Sequence, residues 1–406
     1  MREYGSTRSV AVFHPRLGFG GSEAVAMWTL EALKNDYRIA LVAGGRIDLK
    51  TLNAYYGTSI DESDCETVEL PLPWPLAEVE WGAAIRGGFV QRAMRPHFDR
   101  FDILINSYNI GNFGRPGIHF LADFSWDEAL RRDLHPVSCG PRGLLQINKP
   151  ARRAYLGLSR AIAGPGPHSD ARAAGMILAN SNWSKELLRR RHGIDSRVVY
   201  PPVTMRATSV PRERKLRRFV CLGRILPEKR IELVIEILKA VRSRGHDVVL
   251  HIIGDTRETA YGGDIEQLCH AEGSWIVLEG RRFGDSKARL LAESAYAIHA
   301  CNGEAFGIAV AEMITAGCIP FVPEEGGPAE IVERNPALIY KSTQEAVEKI
   351  VRVLDDHELE VRLRRCMDER AKTFSQEAFV GKVRGIVAQF VEHMMSSSAP
   401  IQSHAL

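Results

Sequence analysis

Two glutamates and the chain between them carry the strongest chemical signal in the sequence. They lie in residues 303–317, GEAFGIAVAEMITAG, which follow the apolar run AIHA. The pattern predicts Glu304 in a loop after a strand and Glu312 on a helix that starts near Gly307. Eight helical steps would put the carboxylates about 12 Å apart along the axis. That matches the separation of the two hydroxyl-rich ends of a sugar nucleotide. A carboxylate accepts two hydroxyl donors well, so Glu304 suits a sugar and Glu312 a ribose. Between them, the N–H groups of Phe306, Gly307 and Ile308 would be the open donors of a helix N-terminus, which attracts phosphate. Glycine at 307 lets an anion approach the backbone closely. The plainer reading is a solvated loop glutamate plus a helix-face glutamate; the loop-to-helix setting favours the first.

Residues 221–230, CLGRILPEKR, follow another strand pattern. Arg224 and Lys229 would project from a loop, Arg224 with a forked donor and Lys229 as a point charge, both suited to a diphosphate. They would neutralise charge developing on a leaving nucleotide. They also read as two surface cations, but Lys229 and Arg230 at a helix start oppose the dipole unless an anion is present. In GFGGSE (18–23), Gly20 and Gly21 make a tight loop with N–H groups toward a cleft. The segment fails the dinucleotide fingerprint because Glu23 stands where the third glycine belongs; a plain strand–helix turn is the alternative. His119, in GIHFLAD, fits either a satisfied core histidine or a cleft residue near Asp123, Ser125 and Asp127. In VPEEGGPAEIV (322–332), Gly326 and Gly327 give a flexible loop, Pro328 suits a first helical turn and Glu330 a helix face. No D-x-D stands in a strand-end loop, and no metal-ligand spacing, P-loop or G-x-S-x-G is present, so neither metal nor cofactor is expected.

Alternating strand and helix patterns must position these groups. Strands are expected at 9–13, 38–42, 103–106, 177–180 and 198–200, with a helix over about 24–34. The stretch 201–218, rich in proline and charge, reads as a linker. Strands then recur at 219–223, 248–254, 276–279, 297–300 and 319–322. Helices are expected at 231–244, 265–271, 287–294, 308–316 and 344–354, with two more at 359–373 and 377–394. The fold class is α/β: two doubly wound domains facing across a cleft, with ligands at the carboxyl ends of the strands.

The 406 residues suffice for two domains. The 53 basic and 50 acidic residues leave a net charge of +3, which gives no support for nucleic-acid binding. Seven scattered cysteines, an odd number with no CxxC pair, read as reduced thiols. With no run of 18 apolar residues and no signal-like start, the expected location is cytoplasmic. Two basic-apolar stretches, 84–100 and 142–160, suit either a solvated helix face or docking on anionic lipid.

The segments GFGGSE, ANSNWSKE (179–186), VVYPPV (198–203), LGRILPEKR, EAFGIAVAEMITAG and GGPAEIV together resemble family 4 glycosyltransferases, retaining enzymes of the GT-B fold. The resemblance runs from about residue 9 to 390. Within the family the chain is most similar to mannosyltransferases that extend lipid-linked oligosaccharides. The resemblance implies a nucleotide-sugar donor, GDP-mannose, and a glycan or lipid-linked acceptor, used at the cytoplasmic (inner) membrane face. It implies an acceptor-binding Rossmann-like domain over 1–205 and a donor-binding one over 206–376. The helix at about 377–394 would pack back on the first domain, and 395–406 would be a disordered tail. Glu304 would contact the donor sugar and Glu312 the ribose. Arg224 and Lys229 would bind the diphosphate, helped by the backbone at Gly20, Gly21, Phe306, Gly307 and Ile308. His119 would stand near sugar and acceptor. Catalysis would be metal-independent, a front-face substitution in which the leaving phosphate takes the acceptor proton. The alternatives are other donors such as UDP-sugars, a GT-B nucleotide-sugar epimerase, or a non-catalytic nucleotide-sugar-binding protein.

Overall fold

A computed structural model describes residues 8–72, 83–124, 127–134, 149–163, 175–205, 216–257 and 259–397. The first sheet holds β1 (Ser9–His14), β2 (Arg38–Gly44), β3 (Cys65–Leu70), β4 (Ile103–Asn106), β5 (Gly117–Leu121), β6 (Gly175–Ala179) and β7 (Arg197–Val198), in the order β3-β2-β1-β4-β5-β6-β7. The second holds β8 (Leu216–Leu222), β9 (Val249–Ile253), β10 (Ile276–Gly280), β11 (Ser294–Ile298), β12 (Ile319–Pro323) and β13 (Ile339–Tyr340), in the order β10-β9-β8-β11-β12-β13. Both sheets are parallel. The helices are α1 (Gly21–Leu33), α2 (Leu49–Tyr56), α3 (Ala83–Met94), α4 (Glu128–Leu134), α5 (Lys149–Ala163), α6 (Asn182–His192) and α7 (Ile231–Ser243), then α8 (Ala260–Glu272), α9 (Gly284–Ala292), α10 (Ile308–Thr315), α11 (Gly327–Ile331), α12 (Thr343–Asp355), α13 (His357–Ala371) and α14 (Gln376–Ser397).

The sequence pattern explains the layers. β1, SVAVFH, is buried throughout, as a parallel strand covered on both faces must be. Its alternate residues serve opposite layers. Val10 and Val12 join a core with α1, whereas Ala11 and Phe13 pack with Val90 and Met94 of α3. α14 completes the first core: Phe379, Val383, Ile386, Val387 and Phe390 lie in the same cluster as Met27 and Leu30 of α1. The last helix therefore packs back on the N-terminal sheet. A separate core fills the second sheet.

In each sheet the strand order reverses beside its first strand, between β1 and β4 and between β8 and β11. Loops diverge at such points and leave a crevice. GFGGSE leaves β1, LGRILPEKR leaves β8, and the glutamate loop leaves β11. Three of the chemical segments are thus placed by topology alone.

Several boundaries differ from expectation. α8 begins at Ala260 rather than 265, because Thr259 caps it through Gly262 N–H and Gly262 sits tightly against the Thr256 carbonyl. β11 spans Ser294–Ile298, earlier than 297–300, so His299 already belongs to the loop. β3, β5 and β13 were not anticipated as strands; β3 is an edge strand with exposed glutamates, which blurs its pattern. Of the expected linker, 206–215 lies outside the described residues, and β8 starts at Leu216. Of the expected disordered tail, 395–397 continue α14 and 398–406 lie outside the described residues.

Phe390→Ala should cost ~3–5 kcal/mol, the usual loss for a buried aromatic ring. Urea unfolding followed by far-ultraviolet circular dichroism of both chains would report that loss.

Candidate active site

The loop from His299 to Gly307 is held by both domains. Its main chain is tied to the β12–α11 loop: Gly303 N–H donates to Glu325 O, and Gly327 N–H to Glu304 O. Gly307 adopts φ 99° as the N-cap of α10, a conformation that favours glycine. A Cβ at Gly327 would meet the backbone of Ala305 and Phe306 at 2.5 Å. From the other domain, Ser181 and Ser184 hydroxyls both donate to Ala305 O, at 2.6 and 3.0 Å.

Glu304 is the best-anchored side chain of the loop. Oε1 accepts from Lys229 Nζ at 2.7 Å, and Oε2 lies 2.5 Å from His299 Nε2. Both of the latter atoms are shut off from solvent and face only each other. Burial alone would raise the Glu304 pKa; Lys229 and His299 more than offset it and hold the carboxyl well below the usual range. Burial likewise disfavours charge on Lys229, and Glu304 reverses the effect, so the ammonium's pKa is raised. The pair is therefore fully charged at neutral pH. The His299 carbonyl accepts from the buried Tyr340 hydroxyl at 2.6 Å, which fixes the loop's entry.

Glu312 lies one helix away, buried on α10, and accepts from Lys287 Nζ of α9 at 2.7 Å. Arg224 is exposed at the carboxyl end of β8, close enough to Lys229 to oppose its charge. The structure thus brings Arg224, Lys229 and Glu304 together and sets Glu312 on the helix leading away.

Across the cleft, the Gly21 backbone abuts Ile308: a Cβ there would lie 2.2 Å from Ile308 Cδ1. Gly20 departs from expectation. Its N–H donates to the Tyr56 hydroxyl at 2.9 Å, so that donor does not face an open cleft. Phe306 is buried, stacked on Tyr200, and only its backbone borders the site. His119 is fully buried; its Nδ1 accepts from Gly111 N–H at 3.2 Å and its ring stacks on Phe113 at 4.9 Å. Of its expected polar neighbours, Ser125 lies outside the described residues, and Asp127 pairs with Arg191 instead.

Sequence reasoning missed several participants. His14, at the end of β1, is buried with Nε2 3.2 Å from the Ser22 hydroxyl. Burial, partly offset by Glu23, lowers its pKa, so the ring is neutral near pH 7. His299 had a weak signal, a polar residue beside the glutamate motif, whereas Lys287 stands in an ordinary amphipathic helix with none. Glu330 is no plain helix-face residue. Its Oε2 accepts from the N–H groups of Asn182 and Trp183, at 2.8 and 3.2 Å, and Oε1 from the Asn182 amide and the Tyr200 hydroxyl. It caps α6 of the opposite domain, where open donors favour a carboxylate.

A groove of about 780 Å³ opens between α4, α6 and the β12–α11 region, lined by Trp183, Tyr200, Asn302, Glu330 and Arg370. It is separate from the Lys229–Glu304 pair. His299, Cys301 and Glu304 place their ligand-type atoms within 4.8 Å of one another, a set with metal-binding chemistry, although Lys229 holds the same carboxylate.

Residues 207–373 match the family model described as glycosyl transferases group 1. The chain carries a glycosyltransferase group 1 domain. It contains every one of Arg224, Lys229, Glu304 and Glu312. The chain is also 24% identical over 251 residues to the "GDP-Man:Man(3)GlcNAc(2)-PP-Dol alpha-1,2-mannosyltransferase" of Dictyostelium discoideum, covering 55% of this chain and 50% of that one. It spans half the length of that relative. In structure it is similar to WaaG, "a glycosyltransferase involved in lipopolysaccharide biosynthesis" (TM-score 0.65, 16% identity, 93% of this chain and 99% of that one). It is equally similar to Anabaena HepE in complex with UDP and glucose (TM-score 0.65, 14% identity, 94% and 100%). The two facing parallel-sheet domains are the GT-B fold.

The Lys229–Glu304 pair makes a pH prediction. A depressed carboxylate stabilises the fold above its unfolded pKa and loses that contribution as pH falls through the folded value. Glu304→Gln should cost about 1–3 kcal/mol at pH 7. The gap to wild type should shrink as pH drops below 4.5, the carboxyl's ordinary value. Urea unfolding of both chains between pH 7 and 3.5 measures it.

Proposed function

We propose that the chain is a retaining, metal-independent glycosyltransferase that moves mannose from GDP-mannose to a hydroxyl of a glycan or lipid-linked acceptor. The observation that carries the reading is the Lys229–Glu304 pair at the β8/β11 switch point, with Arg224 beside it and Glu312 on the following helix. A diphosphate would draw Lys229 and Arg224 as its counter-charges. Glu304 would accept from donor-sugar hydroxyls, and Glu312 from the ribose. The bond from the anomeric carbon to the phosphate oxygen breaks, the bond to the acceptor oxygen forms on the same face, and the acceptor proton passes to the leaving phosphate. Lys229 and Arg224 stabilise the charge on that phosphate as it departs. Glu304 has both oxygens engaged, which suits a hydroxyl acceptor better than an attacking nucleophile. The choice of mannose is supported by the Dictyostelium relative's name, whereas the HepE complex holds UDP, so the base is the first quantity to test.

A thermal-shift panel with GDP, UDP, ADP and dTDP, each with EDTA and with magnesium, tests donor and metal together. A ligand at 100 times its Kd adds about 2.7 kcal/mol. GDP alone should shift the transition, with EDTA present. A shift that needs magnesium, or none from any nucleotide, overturns the reading. In turnover, Arg224→Ala should remove most activity and Glu312→Ala should raise the donor KM; wild-type kinetics in both would refute the site.

A lipid-linked acceptor implies peripheral contact with an anionic membrane in the cytoplasm. The described parts of the two basic-apolar stretches pack as a pair, α3 on α5, through Ala84 with Tyr155 and Ser159. Residues 142–148 lie outside the described residues. Among the described residues, no helix is long and apolar enough to cross a membrane. Co-sedimentation with phosphatidylserine vesicles, lost in high salt, is the expected result.

A further inference from the structure

The cleft carries an aromatic group that the charged site does not use. Phe19, in the loop after β1, and Phe283, the N-cap of α9, are 54% and 43% exposed. Both pack against Tyr55 of α2. The Phe19 and Tyr55 ring centroids lie 4.5 Å apart, and those of Tyr55 and Phe283 lie 5.7 Å apart, edge to face. Phe19 and Tyr55 belong to the N-terminal domain and Phe283 to the C-terminal one, so the chain of rings crosses the cleft. The Arg281 guanidinium lies 5.8 Å from the Phe283 ring centre. One turn along α9, the Lys287 N–H donates to the Phe283 carbonyl and the Lys287 ammonium bonds Glu312 at 2.7 Å, so the Phe283 end of the ring chain stands one helical turn from the partner of Glu312.

Apolar rings left in water are unfavourable, and a cluster of them rimmed by charge marks a ligand surface. A flat heteroaromatic ring stacks on such faces and on guanidinium planes. Glu312 is the carboxylate assigned to the ribose, and the base must follow from the ribose. We propose that Phe19, Tyr55 and Phe283, with Arg281, form a clasp that closes across the cleft on the nucleobase of the donor. This inference rests on the reading of the chain as a nucleotide-sugar transferase. Stacking tolerates any base, so the clasp supplies affinity and couples base binding to domain closure.

Isothermal titration of the full chain with GDP, UDP and inorganic pyrophosphate tests it. Phe19→Ala and Phe283→Ala should each weaken whichever nucleotide binds by about tenfold, the size of one stacking contact. Pyrophosphate, which lacks a base, should bind within about twofold of wild type. Phe283→Trp should restore nucleotide affinity, and Phe283→Leu should not. If wild type binds a nucleotide and both alanine variants match it, the clasp is wrong and the donor reading stands. If pyrophosphate weakens as much as the nucleotide, the loss is structural and the clasp is again wrong. If wild type binds neither nucleotide, the donor reading fails and the clasp with it.

Discussion

The site depends on one constraint: the loop 303–307 has almost no freedom. Its carbonyls and N–H groups are claimed from two sides, by Gly303 and Gly327 contacts within its own domain and by two serine hydroxyls of the other. Buried main-chain groups must be paired, so each contact is costly to break. That fixes Glu304 before any ligand arrives. Glycines at 307 and 327 are the price of the close approach, one for its φ and the other for its missing side chain.

The charges follow the same logic. Each carboxylate of the motif has its own lysine, Lys229 for Glu304 and Lys287 for Glu312. Such buried pairs add little net stability, because desolvation offsets most of the attraction. What they supply is position: each carboxylate is held in one orientation by its lysine. An incoming diphosphate would compete with Glu304 for Lys229, so the pair would couple phosphate binding to the freedom of the Glu304 carboxylate.

Much of this was legible in the sequence. The alternation of strand and helix patterns predicted two doubly wound domains, and both sheets have that order. The glutamate spacing and the strand-end cations pointed to Arg224, Lys229, Glu304 and Glu312, of which the fold sets Arg224, Lys229 and Glu304 close together and Glu312 on the helix that follows. What stayed hidden was contact across the chain. Glu330 reads as an ordinary first-turn glutamate, and nothing local says that its partners are Asn182 and Trp183, some 150 positions away. Tyr56 likewise takes the Gly20 N–H from a neighbouring helix. Gly20 still shapes the turn, but its donor is spent. His119 sits in a short strand whose apolar run is too brief to reveal which side it faces.

The two domains meet in chemically different ways on the two sides of the cleft. On one side Glu330 caps α6 and Ser181 and Ser184 bond to Ala305, contacts that are directional and, at Glu330, charge-assisted. α14 adds a cross-domain helix that packs into the core of the N-terminal sheet. On the other side the meeting is of Gly21 with Ile308 and of Tyr55 with Phe283, apolar and non-directional. Hydrogen bonds to a carboxylate resist small displacements, whereas rings slide and separate at low cost. The loop carrying Glu304 is held on the hydrogen-bonded side, and Glu312 lies on the helix that leads away from it. The charged centre thus sits beside the directional contacts between the domains, and the aromatic rings form the non-directional one.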